Sequence, residues 1–576
     1  MINKFGLMSL PPLKLRGWAF FVFILLFTAT ISSLRVGMPS RECFDECYYH
    51  PGAYSYIKGT NDKNFSHPPL AKIMIAEGIL FGHALQKMGI KITEFTCWRL
   101  TSLFFGLGMV ALTFALAYRL SRGSESIAAL SAFLVAIDFL HFTMSRICML
   151  DMVVAFWILL GIYLGWCYIE AQVLGSPRSW SWAILCALVF GVSVACKWNG
   201  LFGAGATWLL MVILPHCISK EWLVDQAVPE LPWREALQGS DFLKYAAKCA
   251  TSSADEDSNG KKRAVTEAGE KNDKAEDCNK VADGKGGKAK KRKDGSKVKN
   301  DKKDGVFVAS GSSVDLSKTK DNEEDEASAV GSEHQVVTSE SVASAPVNSS
   351  WLGGSLAFLG KNWKRTLILA VIFTVLVGSV YSASFLPQAM RTGFNKKTLN
   401  TIIKHNKIFI KFRYNSKKFN HRYQSPYWAW PLSIRPVYLK YSHEHKDTIA
   451  CVICFGSIVF WWPGLVFTLE FFCLGWREKK YIWAFLGTTW FLMWFLWASS
   501  TAGGFIFYML PGIPIMSIVV AWVMHDWYRE GYWKIVAGYL SLLSVAFMLY
   551  YPVLSCLSVP DSYYRTIVPL LFRQWR

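Results

Sequence analysis

Apolar runs of roughly 18–25 residues, almost free of charge, recur along most of this 576-residue chain. Each is long enough to cross about 30 Å of hydrocarbon as a helix. Backbone in lipid must satisfy its own hydrogen bonds, so runs of this kind admit helices and little else. Blocks at 18–35, 97–118, 126–144, 149–170, 180–196, 200–217, 365–387, 448–473, 481–498, 505–524 and 533–554 predict about eleven transmembrane helices. The expected fold class is therefore an all-α polytopic membrane protein. Residues 70–87 (LAKIMIAEGILFGHALQK) have helical amphipathic spacing but carry Lys72, Glu77 and His83, which predicts a helix lying along the interface.

In a soluble protein the net charge of +20 would point to nucleic acid. Here basic residues near span ends set orientation and meet anionic headgroups, so membrane lipids, and no nucleic acid, are the expected partners. Lys4, Lys14 and Arg16 precede the first span, which reads as retained, with the N-terminus in the cytoplasm. Arg119, Arg122, Arg178, Lys364, Arg365, Arg477, Lys479 and Lys480 then fall on the cytoplasmic side. The loop at 36–96, the turns at Ser145–Arg146 and Lys197–Gly200, the loop at 388–447 and the C-terminus face outward. The 388–447 loop is itself rich in lysine and breaks the rule. Three regions result: an N-terminal membrane half (1–217), a connecting cytoplasmic loop (218–360) and a C-terminal membrane half (361–576). Within the connector, 250–349 is charged and nearly devoid of aromatics, a composition that predicts disorder. Of the 14 cysteines, most lie in apolar stretches, and the spacing of Cys43 and Cys47 leaves open whether they pair.

Charged residues beside the spans are the candidates for chemistry. Asp45 and Glu46 lie just beyond the first span, where partial desolvation makes a carboxylate a better base. Adjacent helical residues diverge by about 100°, so the two should do different jobs. His67 and Lys72, on the stiff HPPLAK turn, and Arg99, at the start of the second span, are candidate phosphate contacts. Asp138, Arg146 and Asp151 either pair with one another or line a headgroup cavity, and Lys197 occupies a second tight turn. Trp430 and Arg435 lie in a Trp/Pro-rich stretch, 425–436, whose tryptophans offer a sugar-stacking surface or a membrane-edge anchor. No strong metal spacing appears, although Asp45, Glu46 and His67 together could hold a divalent ion.

The ordered motifs FDE-x-YY, HPPLAK, WRLTS, AIDFLHFTMSRICMLD, KWNGLF, SPYWAWPLSIRP and FYMLP resemble those of the protein O-mannosyltransferase family of GT-C membrane glycosyltransferases. The resemblance runs through most of 40–215 and 360–560 and looks like a bacterial-type member lacking the MIR domain. It implies a polyprenyl- or dolichyl-phosphate-mannose donor, Ser/Thr hydroxyls of exported polypeptides at the translocon as acceptors, and a site on the extracytoplasmic side of the cell membrane. It further implies Asp45 as base, with Glu46 beside it, and Arg99 as a phosphate ligand. Electrostatic stabilisation by Arg99 and Lys197, with Arg146, would suffice for a phosphate leaving group, with inversion at the anomeric carbon. Two other readings compete: a GT-C transferase acting on a lipid or cell-wall glycan, and a transporter, which would spread charges through the membrane and show internal repeats.

Overall fold

The computed structural model describes residues 2–62, 64, 66–225, 351–414, 421–445, 447–500 and 504–570. The charged insertion at 250–349 lies outside them. Among the described residues, ten helices are long and apolar enough to span a membrane. The N-terminal half contains α1 (Leu15–Ser33), α2 (Glu46–Ile57), α3 (Leu70–Lys87), α4 (Glu94–Leu120), α5 (Glu125–Ala136), α6 (Phe139–Met144), α7 (Leu150–Val173), α8 (Ser179–Cys196), α9 (Gly200–Cys217) and the short α10 (Lys220–Asp225). The C-terminal half contains α11 (Trp351–Ala383), α12 (Leu386–Thr392), α13 (Lys396–Tyr414), β1 (Val437–His445), β2 (Thr448–Cys454), α14 (Ile458–Arg477), α15 (Tyr481–Phe495), α16 (Ile513–Arg529), α17 (Trp533–Leu554), β3 (Val559–Pro560) and α18 (Asp561–Ile567).

Two expected spans take a different form. The block at 126–144 is broken into α5 and α6 because the Asp138 carboxylate caps α6, accepting from the His141 amide at 2.8 Å. The other Asp138 oxygen accepts from Trp461 Nε1 at 2.7 Å, so the mid-bundle acid is satisfied without a cation. The block at 448–473 opens as a strand: β2 pairs antiparallel with both β1 and β3 in a three-stranded sheet of order β1-β2-β3. The basic loop contains a further helix, α13, for which no apolar run is needed. α3 spans the predicted 70–87 segment.

Packing brings the C-terminal end of α1, α2, the α6–α7 turn and the α8–α9 turn to one end of the bundle. Arg119 and Arg122 converge on Glu170 at the opposite end, with ion pairs of 3.1 and 3.3 Å. The core between is aromatic: Trp166, Trp461 and Trp490 are fully buried.

Candidate active site

Asp45 sits at the N-cap position of α2, where a carboxylate normally accepts from the helix amides. It makes no such bond. Instead the hydroxyl of Tyr49, one turn on, donates to Asp45 Oδ2 at 3.2 Å. Phe44 precedes it with φ of 49°, a left-handed backbone that is uncommon for a bulky residue. An aromatic box of His421, Phe505 and Phe507 holds it there, with ring centroids 5.4, 5.6 and 6.1 Å away.

Glu46 points the other way. Its Oε1 and Oε2 accept from Arg99 Nε and Nη2 at 2.8 and 2.9 Å, and from the Cys148 and Cys43 amides at 2.7 and 2.8 Å. Both side chains are fully buried. The remaining Arg99 N–H groups donate to the carbonyls of Val36, Pro39 and Arg41 at 3.0–3.2 Å. All five guanidinium donors are therefore engaged within the protein. This corrects two expectations: Arg99 has no donor left for a phosphate, and Glu46 has no free lone pair for catalysis or for a metal shared with Asp45 and His67. The pair is an anchor that fixes the start of α2 against α4 and the α6–α7 turn.

On the Asp45 side lies a second ion pair. Lys197, immediately after α8, donates to Asp151 Oδ1, in the first turn of α7, at 2.7 Å. Its ammonium also stands over the rings of Tyr508 and Phe507, at 4.8 and 5.7 Å from their centroids. Burial raises the proton affinity of Asp45. Lys197 opposes that shift, Asp151 adds to it, and the Tyr49 hydrogen bond and His421 lower it; the net result stays above the ordinary value. Burial, reinforced by Asp45, holds the Tyr49 phenol protonated and thus a donor.

The turn after α8 borders two narrow crevices, one through Trp198 and the other through Asn199. Trp198, His67, Lys72, Asp62, Tyr381 and Asn406 line a narrow polar cleft. Asn199, Phe202, Trp490, Trp494, Trp497 and Tyr508 line a narrow aromatic crevice. His67 also packs near Tyr49, with ring centroids 5.8 Å apart.

The remaining sequence candidates lie elsewhere. Arg146 donates to the carbonyls of Ile31, Ser32 and Leu34 and so closes the C-terminal end of α1. It pairs with neither Asp138 nor Asp151. Lys72 is buried on Asp62 and the Asn64 and His67 carbonyls, and so borders the polar cleft as a structural strut. Trp430 is a core residue, 2% exposed, with Nε1 donating to Ser425 Oγ at 3.1 Å; it presents no stacking face. Arg435 is exposed and donates to the Arg422 carbonyl at 2.7 Å. Cys43 and Cys47 are free thiols. The motifs FDE-x-YY and FYMLP contain Tyr49, Phe507 and Tyr508, but only tertiary packing gives these residues their roles; His421 carries no local signal in the sequence.

The fold is that of a polytopic helical membrane protein with buried charged residues gathered at one end. It is similar to the structure of the Saccharomyces cerevisiae protein O-mannosyltransferase Pmt1-Pmt2 complex bound to the sugar donor, with a TM-score of 0.56 and 11% identity over 95% of this chain and 91% of that one. The family model described as dolichyl-phosphate-mannose-protein mannosyltransferase matches residues 22–233, so the resemblance read from the motifs holds. Dolichyl-phosphate-mannose--protein mannosyltransferase 1 of Saccharomyces cerevisiae is 28% identical over 34% of this chain and 24% of its own length. Polyprenol-phosphate-mannose--protein mannosyltransferase of Mycolicibacterium smegmatis is 25% identical over 40% of this chain and 46% of its own. The chain thus spans between about a quarter and about half of the length of the curated relatives it matches.

Proposed function

We propose that the chain is a membrane mannosyltransferase that moves mannose from polyprenyl-phosphate-mannose to Ser or Thr hydroxyls of exported polypeptides. The observation that carries this reading is the half-buried Asp45 carboxylate, which Tyr49 orients by a hydrogen bond and which interacts electrostatically with the buried Lys197–Asp151 pair. The names of the yeast and mycobacterial relatives support the same donor and acceptor.

In this mechanism Asp45 takes the proton of the acceptor hydroxyl. The hydroxyl oxygen bonds to the anomeric carbon from the face opposite the phosphate. The bond from that carbon to the phosphate oxygen breaks, its electron pair leaves on the phosphate, and the anomeric centre inverts. The raised proton affinity of Asp45 suits a base, and the Lys197 ammonium offsets charge on the departing phosphate. The site end faces away from the cytoplasm, where exported chains emerge from the translocon.

Membranes containing the protein, supplied with radiolabelled mannosyl lipid, should transfer label into Ser/Thr-bearing polypeptide. Asp45→Asn should keep donor binding and lose about 10²–10⁴ in turnover. Label appearing in lipid or glycan instead would overturn the acceptor class. Near wild-type turnover by Asp45→Asn would overturn the base.

A further inference from the structure

We infer that His83, Glu94 and Cys97 form a binding site for a divalent ion of the zinc class, built at the junction of α3 and α4. The short connection after α3 folds α4 back along it, placing the last turn of one helix against the first turn of the other. Glu94 and Cys97 stand three residues apart and share a face of α4. His83 reaches them from α3. Gly82 makes the approach possible, because a Cβ there would come within 2.6 Å of Cys97 Sγ. The ligand atoms of the three residues all lie within 4.8 Å of one another, and His83 Nε2 is 3.0–3.1 Å from both Glu94 oxygens.

The donor set selects the metal. Imidazole, carboxylate and thiolate together match zinc, whereas calcium and magnesium call for oxygen ligands throughout. Three protein ligands leave one tetrahedral position for water. The carboxylate also has the outer-shell support that orients metal ligands: Trp98 Nε1 donates to Glu94 Oε1 at 3.2 Å, and the Tyr54 hydroxyl donates to the same oxygen. Trp98 is in turn fixed by stacking on His50, with centroids 3.8 Å apart. His83 and Glu94 are 33% and 40% exposed, so an ion has a path in, while Cys97 forms the buried floor. Binding displaces the thiol proton to solvent. The bound ion would fasten the end of α3, the helix that carries Lys72 at the polar cleft, to the start of α4.

Cobalt(II) and zinc titrations of the full-length protein in detergent test the assignment without reference to activity. The wild type should take up one equivalent of cobalt with visible bands of a tetrahedral site and a near-ultraviolet thiolate-to-cobalt charge-transfer band, both abolished by zinc. Cys97→Ser should lose the charge-transfer band, and Tyr54→Phe should weaken zinc binding by about 10-fold or more. X-ray absorption of the zinc-loaded wild type should show one sulfur near about 2.3 Å and lighter ligands near about 2.0 Å, a result independent of any variant's folding. A wild type with no charge-transfer band, or a zinc spectrum without sulfur, overturns the site. So does a band that survives in a folded Cys97→Ser, which would put the metal on another thiol.

Discussion

Replacing Arg99 separates two roles that its position allows. The structure makes it the buried half of an ion pair with Glu46, with every N–H engaged. Arg99→Met would leave a buried carboxylate holding only the Cys43 and Cys148 amides, and would orphan the carbonyls of Val36, Pro39 and Arg41. Breaking a buried pair from one side costs about 3–5 kcal/mol. Arg99→Lys should recover little of this, because one ammonium cannot reproduce the two-pronged contact and serve three carbonyls. Arg99→Met/Glu46→Leu should be more stable than Arg99→Met alone, since it removes the stranded charge. The assay is thermal unfolding in detergent followed by Trp fluorescence, with inactivation half-lives where unfolding is irreversible. Donor KM and kcat are measured on the protein that remains folded. The anchor role predicts large losses of stability and a donor KM within a few-fold of wild type. Arg99→Lys with wild-type stability and a donor KM raised tenfold would refute the reasoning and put the guanidinium on the phosphate.

Other substitutions probe the Asp45 side and the reassigned residues. Asp45 must be ionised to accept a proton, and its carboxyl is held above the ordinary value of about 3.9, so kcat/KM should fall as pH drops through a point above that value. Lys197→Met removes a charge that favours the ionised form and should move this acid limb to higher pH; Asp151→Asn should move it lower. A limb that stays in place in both variants would disprove the coupling. Trp430→Ala should cost about 3–5 kcal/mol by opening a core cavity, read as a lower melting temperature. Arg435→Ala, at an exposed position, should change stability by no more than about 0.5 kcal/mol.

Much of this is legible in the sequence alone, for identifiable reasons. Span length and hydropathy locate helices because lipid leaves the backbone no alternative. The divergence of Asp45 and Glu46 follows from helix geometry alone. Which partner each would meet does not, because Arg99, Cys148, Lys197 and Asp151 come from segments that only tertiary packing brings together. TIACVIC at 448–454 is a continuous apolar run, which periodicity cannot divide between buried strand and helix start. Trp430 illustrates the same limit: a tryptophan near a membrane edge looks alike in sequence whether it anchors to lipid, stacks on sugar or fills a core.

The arrangement around Phe44–Glu46 shows why neighbouring acids end in different environments. An aspartate at an N-cap position would ordinarily accept from the helix amides and become a weaker base. Here Glu46 holds the chain from the next position by its four hydrogen bonds, and the left-handed Phe44 turns the backbone so that the Asp45 carboxylate swings away from the helix end. That conformation of Phe44 costs about 1–3 kcal/mol, which a buried ion pair and an aromatic box are well placed to offset. The anchor and the reactive group are therefore coupled through one residue of backbone. Weakening Glu46–Arg99 would let Phe44 relax and Asp45 return to capping, so loss of the anchor would lower the basicity of a carboxylate it never touches.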